Sequence, residues 1–134
     1  MTVTSANGHK VNGSKALMVL VVEDDFFVRQ EIADCLHTAG YVVLDVATGE
    51  GALELCQADT TIDVLVTDIN LPGSTDGWDV AQAFRNAHAD IAVIYASAHA
   101  IDHARCVPGS RFFSKLYRSA DILDACRQAP ERGA

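Results

Sequence analysis

Five short apolar runs, each followed by a stretch with helical character, constrain the fold of this chain more than any other feature. They read "ALMVLVV" (16–22), "YVVLDVA" (41–47), "IDVLVTD" (62–68), "IAVIYAS" (91–97) and "RFFS" (111–114). Alternation of this kind is the signature of βα units wound around a parallel sheet. The first, third and fourth runs are apolar on both alternating sets of positions, as strands are when helices cover both faces of the sheet. The sequence therefore predicts an α/β architecture with a central five-stranded parallel sheet.

The helices between these runs carry local signals. Val28, Ile32, Cys35, Leu36 and Ala39 recur at helical spacing and stop at Gly40, the residue type that commonly follows a helix end. Asp25 precedes them and reads as an N-cap or a solvated turn residue. Asp76, with Asp79 three positions on, reads as a capping box with Asp in place of Glu, opening a helix with Trp78, Ala81 and Phe84 roughly on one face. A helix from about Glu50 to Gln57 has its start weakened by Gly49 and Gly51. Ser119 is placed to cap a last helix carrying Ile122, Leu123 and Cys126.

At 134 residues the chain has the size of one domain. The expected division is a polar, flexible N-terminal arm (1–16), one domain (17–128) and a short tail (129–134). Hydrophobic residues make up 49% and no apolar run approaches the roughly 20 residues that span a bilayer, so a soluble protein is expected. The arm lacks the apolar core of a signal peptide, which points to the cytoplasm. No linker to a second domain is visible, so an output module is expected on another molecule. Acidic residues outnumber basic ones 18 to 10, and a net charge of −8 disfavours direct nucleic-acid binding. Cys35, Cys56, Cys106 and Cys126 are scattered without a C-x-x-C pair, which argues for buried apolar thiols rather than a zinc site or disulfides.

The acids sit where such a fold makes its sites. "VVEDD" sets Glu23, Asp24 and Asp25 directly after the first run, and "VTD" ends the third run on Asp68. In an open sheet of order 2-1-3-4-5, strands 1 and 3 flank the point where strand order reverses, and their carboxyl ends converge there. Carboxylates gathered about 4 Å apart repel by about 4 kcal/mol at an effective dielectric of 20. A hard divalent cation offsets that repulsion, and magnesium favours a few carboxylates, waters and a phosphate oxygen. A carboxylate beside it can act as a nucleophile and form an aspartyl phosphate. Ser97 after the fourth run and Lys115 after the fifth add a hydroxyl and an ammonium, the groups that neutralise phosphoryl oxygens.

With these residues in view, the chain resembles the receiver domain of two-component response regulators, with the single-domain chemotaxis regulator CheY as the type. The resemblance covers about residues 17–128 and implies the flavodoxin-like (βα)5 doubly wound sandwich. It implies Asp68 as phosphoacceptor and Glu23 and Asp24 as the acidic pair holding Mg2+ (or Mn2+). Asn70 would add its backbone carbonyl as a metal ligand. Ser97 matches the switch hydroxyl, with Ala98 leaving space beside it. Lys115 matches the phosphate-contacting lysine, and Phe112 the aromatic switch position. The implied partners are a histidine kinase or histidine phosphotransfer protein as donor, and a downstream protein on the face of helix 4, strand 5 and helix 5, with homodimer formation allowed.

Two departures stand out. The usual proline after the lysine is Leu116, so the following bond is expected in trans, since cis before a non-proline residue costs about 3 kcal/mol. Between Ser97 and Lys115 the chain leaves about two turns for a fourth helix before Pro108, and His99 and His103 there read as solvated loop residues. Competing readings are a pseudo-receiver that binds a partner without phosphorylation, a magnesium-dependent aspartyl-phosphate phosphatase and a flavin-binding module. The phosphatase is disfavoured because Asn70 stands where such enzymes carry a second Asp. The flavin module is disfavoured because "EDDFF" offers no phosphate-cradling loop and its acids repel phosphate.

Overall fold

The computed structural model describes residues 16–98, 103–114 and 117–129. Chain order is β1 (Met18–Val22), α1 (Phe26–Thr38), β2 (Val42–Val46), α2 (Gly49–Gln57), β3 (Val64–Asp68), α3 (Gly77–Ala87), β4 (Ala92–Ser97), a 3-10 turn (His103–Arg105), β5 (Arg111–Ser114) and α4 (Ser119–Arg127). The strands form one parallel sheet in the order β2-β1-β3-β4-β5. The α/β class and the strand order are those read from the sequence.

Strand alternation divides the core into two layers. Leu20, Val22, Leu65, Val93 and Tyr95 face α2 and α3, where Ala52, Val80, Ala81 and Phe84 pack on them. Val19, Val21, Val64, Val66 and Ile94 face α1 and α4, against Ile32, Leu36, Ile122 and Cys126. β3 is buried along its whole length, while the edge strands β2 and β5 keep exposed positions.

The helix ends follow their local chemistry. Asp25 Oδ1 accepts from the Phe27 and Val28 amides at 2.9 and 3.1 Å, capping α1. At the other end Gly40 adopts φ 102°, and Gly40 N and Tyr41 N donate back to His37 O and Leu36 O. This is the Schellman arrangement, which needs the left-handed conformation glycine reaches without strain. The Asp76–Asp79 capping box is formed in both directions. α2 begins cleanly despite its glycines because Thr48 Oγ1 accepts from Gly51 N at 3.0 Å. Ser119 is not the cap of the last helix. It is the first helical residue, and Asp121 reaches back to accept from Arg118 N at 2.8 Å.

The two helical turns expected after β4 reduce, among the described residues, to the 3-10 turn His103–Arg105. The chain here lies as a strap on α3. Val107 is buried in the core, its N–H donates to the buried Tyr95 hydroxyl at 3.1 Å, and Arg85 Nη1 donates to Pro108 O at 2.6 Å. The Arg105 guanidinium lies 5.0 Å from the Trp78 ring, which is itself 5.2 Å from the Tyr95 ring. Val107 fills the core just after this turn, between it and Pro108. No described helix is long and apolar enough to cross a membrane. All four cysteines are free thiols, Cys126 buried and the others half-buried.

Candidate functional site

β1 and β3 are adjacent and in register, Val22 opposite Thr67, so the residues after them leave the sheet at the same edge. Glu23 and Asp24 follow β1 and Asp68 ends β3. One carboxylate oxygen from each lies within 4.8 Å of the others. Glu23 and Asp68 are buried, the latter 7% exposed, whereas Asp24 is exposed at the mouth. Among the described residues this is the one group of three or more potential ligand side chains. Its all-oxygen donor set fits a hard divalent cation such as magnesium and suits neither a soft metal nor an anion.

The backbone around the cluster is held tightly. Glu23 N donates to Val46 O at 3.1 Å, continuing the β1–β2 ladder by one bond. The Glu23 carboxylate accepts from Asp25 N at 3.1 Å, and Asp25 in turn caps α1. Asp68 Oδ1 accepts from Asn70 N at 3.2 Å, turning the chain away from the strand. The Asp68 carbonyl accepts from Thr67 Oγ1 at 2.8 Å, and Gly77 N donates to Ile69 O at 2.8 Å, drawing the start of α3 against the turn.

The remaining expected residues divide into three groups. Asn70 joins the cluster through its amide and is exposed. Ser97 is buried at the end of β4, one residue past Ala96, the register partner of Asp68, and so belongs to the same edge, with Ala98 exposed after it. Phe112 pairs in register with Tyr95 and packs half-buried on the α2–α3 layer. Lys115, Leu116 and His99 lie outside the described residues, as do the His103 side chain and nearly all of the arm and tail.

Two supporting residues escaped the sequence reading. Arg29 Nη1 donates to Glu23 O at 2.7 Å while its Nε donates to Asp45 Oδ1 at 3.0 Å. Its place one turn after the capping Asp25 was the available signal. Glu50, in the first turn of α2, accepts from both the amide and the hydroxyl of Ser74 at 3.0 and 3.1 Å, anchoring the loop before α3. That contact joins the start of a helix to a loop 24 positions away and had no local signal.

Comparison with known proteins agrees with this architecture. A family model described as "Response regulator receiver domain" matches residues 19–126. The sensor kinase CckA of Brucella abortus (strain 2308) is 34% identical over 105 residues, covering 77% of this chain and 11% of that protein. Nodulation protein W of Bradyrhizobium diazoefficiens is 30% identical over 129 residues, covering 93% of this chain. The chain thus spans only 11% and 56% of these relatives' lengths. A crystal structure of a response regulator receiver protein from Sinorhizobium medicae WSM419 superposes with a TM-score of 0.83 at 30% identity, covering 86% of this chain and 94% of that one.

Proposed function

The chain belongs to the response regulator receiver family of two-component signalling, and from that premise we propose that it accepts a phosphoryl group from a phosphohistidine donor onto Asp68. The observation that carries the reading is the convergence of Glu23, Asp24 and Asp68 within 4.8 Å at the switch point of the sheet.

In the proposed transfer an Asp68 carboxylate oxygen forms a bond to phosphorus while the phosphorus–nitrogen bond to the donor imidazole breaks, the imidazole leaving with the electron pair. Glu23 and Asp24 would hold Mg2+ (or Mn2+) with Asp68 and the Asn70 carbonyl, and the ion when bound neutralises charge on the phosphoryl oxygens. The Asn70 amide holds Asp68 Oδ1, orienting the carboxylate for attack. Ser97 and Lys115 would supply a hydroxyl and an ammonium to the remaining oxygens, with Ala98 leaving room. Phosphorylation changes the charge at the sheet edge once per chain, so the protein acts as a stoichiometric switch rather than a turnover catalyst.

The donor is a histidine kinase or histidine phosphotransfer protein. Asp68 is recessed, so a protein donor must cover the mouth of the site, and Phe26 and Phe27, two and three positions after Asp24 in sequence, stand 55% and 80% exposed in the first turn of α1. A downstream protein would read the state of Ser97 and Phe112 through the face formed by the strap, β5 and α4. On this reading residues 17–128 are the working unit, acting in the cytoplasm.

Intact mass after incubation with Mg2+ and acetyl phosphate tests the reading, with Asp68→Asn and metal-free samples alongside. A phosphoryl adduct that needs both Asp68 and the metal is expected. No adduct, even with a phosphohistidine donor, would replace this reading with a pseudo-receiver that binds its partner unphosphorylated.

A further inference from the structure

We propose that Arg29 is a positioning residue for the acidic cluster, its guanidinium fixing the Glu23 backbone and with it the separation of the carboxylates that receive the divalent ion. The inference rests on the metal-dependent reading above.

Arg29 lies in the first turns of α1, its own amide donating to Asp25 O at 2.9 Å. Its side chain returns toward the sheet edge, only 14% exposed, and makes two contacts in different directions. Nη1 meets Glu23 O at 2.7 Å and Nε meets Asp45 Oδ1 on β2 at 3.0 Å, while the guanidinium carbon lies 5.5 Å from the Phe26 ring centroid. Glu23 is therefore tied to β2 from both of its backbone groups, directly through Val46 O and indirectly through Arg29 and Asp45. A planar guanidinium presents its donors in a fixed fork, which lets one side chain span both acceptors, whereas an ammonium is a single point of charge.

Charge and position act in opposite directions here. Removing a cation near a cation-binding cluster strengthens binding by electrostatics alone. Releasing the backbone that carries a ligand weakens it, because the carboxylates must then be ordered when the ion arrives. Asp45 already pairs the Arg29 charge at 3.0 Å, which cancels much of its field at the cluster. Position therefore dominates.

Titration of the full chain with Mg2+, followed by calorimetry, tests this for wild type, Arg29→Ala and Arg29→Lys, with Asp68→Asn as the control for binding at the cluster. Weakening of Kd by about tenfold is expected for Arg29→Ala, in the range typical of lost outer contacts at metal sites, and a smaller weakening for Arg29→Lys. A Kd for Arg29→Ala equal to or tighter than wild type overturns the proposal. If that variant does not fold, Arg29→Lys decides, since it keeps the charge and an unchanged Kd leaves no positional role. Wild-type protein that fails to bind Mg2+ overturns the metal-dependent function instead. Amide hydrogen exchange at Asp24 and Asp25 in metal-free protein then decides on Arg29, with faster exchange in Arg29→Lys supporting the role and unchanged exchange overturning it.

Discussion

Gly77 shows how little room the site leaves for variation at a single residue. A Cβ there would lie 2.6 Å from Ile69 Cα and closer still to the Asp68 carbonyl oxygen, and both are backbone atoms that cannot rotate away. The glycine is required by this close approach. Gly77→Ala is expected to destabilise the fold by about 1–3 kcal/mol, the usual range for overpacking, and to slow adduct formation by displacing the turn that carries Asp68 and Asn70. Chemical denaturation and the time course of the acetyl phosphate reaction measure the two effects. In the sequence Gly77 follows a helix cap and closes the D-G of the motif after the third run, and its contact with Asp68, nine positions away, is invisible there. Asp24 and Asp68 were legible because their chemistry and place at strand ends needed no contact to be recognised.

At the scale of elements, the loops around the site are held by side chains whose partners lie on other elements. The Glu50 carboxyl is held below its ordinary value of 4.5, chiefly by its own backbone N–H and then by the Ser74 N–H. A depressed acid favours the folded loop when ionised, so this anchoring is complete above pH 4.5 and is lost as pH falls through the lowered value. An acid titration is expected to move the Ser74 amide resonance with a midpoint below 4.5, and Glu50→Gln is expected to abolish that transition. The strap before β5 depends likewise on Tyr95, whose phenol burial pushes above its usual range. Tyr95→Phe leaves the Val107 N–H without its acceptor, a loss expected to cost about 1–3 kcal/mol for a buried donor. Trp78, the one tryptophan of the chain, packs beside Tyr95 and under Arg105, so its fluorescence reports loosening of the strap. Proline and glycine made a short segment legible here, but its attachment to α3 was not, because Arg85 meets Pro108 O and Arg105 meets Trp78 across more than twenty positions of sequence.

The whole molecule depends on a sheet covered on both sides, and its tolerance to change follows depth. Phe84→Ala, fully buried between α3 and the sheet, is expected to cost about 3–5 kcal/mol. Val42→Ala, exposed on the edge strand β2, is expected to stay within about 0.5 kcal/mol. Equilibrium denaturation of both variants checks the contrast. The sequence alone determined the architecture because strand and helix periods are local, with the strand pattern recurring five times, and because right-handed βα crossovers leave few ways to arrange them. It also set Glu23, Asp24 and Asp68 at strand ends, since their types and positions are written in the chain. The tertiary structure alone decided the contacts that support the site and the last helix: Arg29 joining Glu23 to Asp45, Glu50 anchoring the loop at Ser74, Gly77 pressed on the Asp68 carbonyl, and Asp121 accepting from Arg118 N. Two of these contacts, Arg29 with Asp45 and Glu50 with Ser74, join segments 16 and 24 positions apart. Even at the last helix, whether Arg118 or Ser119 takes the N-cap position depends on backbone geometry that only the packed fold sets.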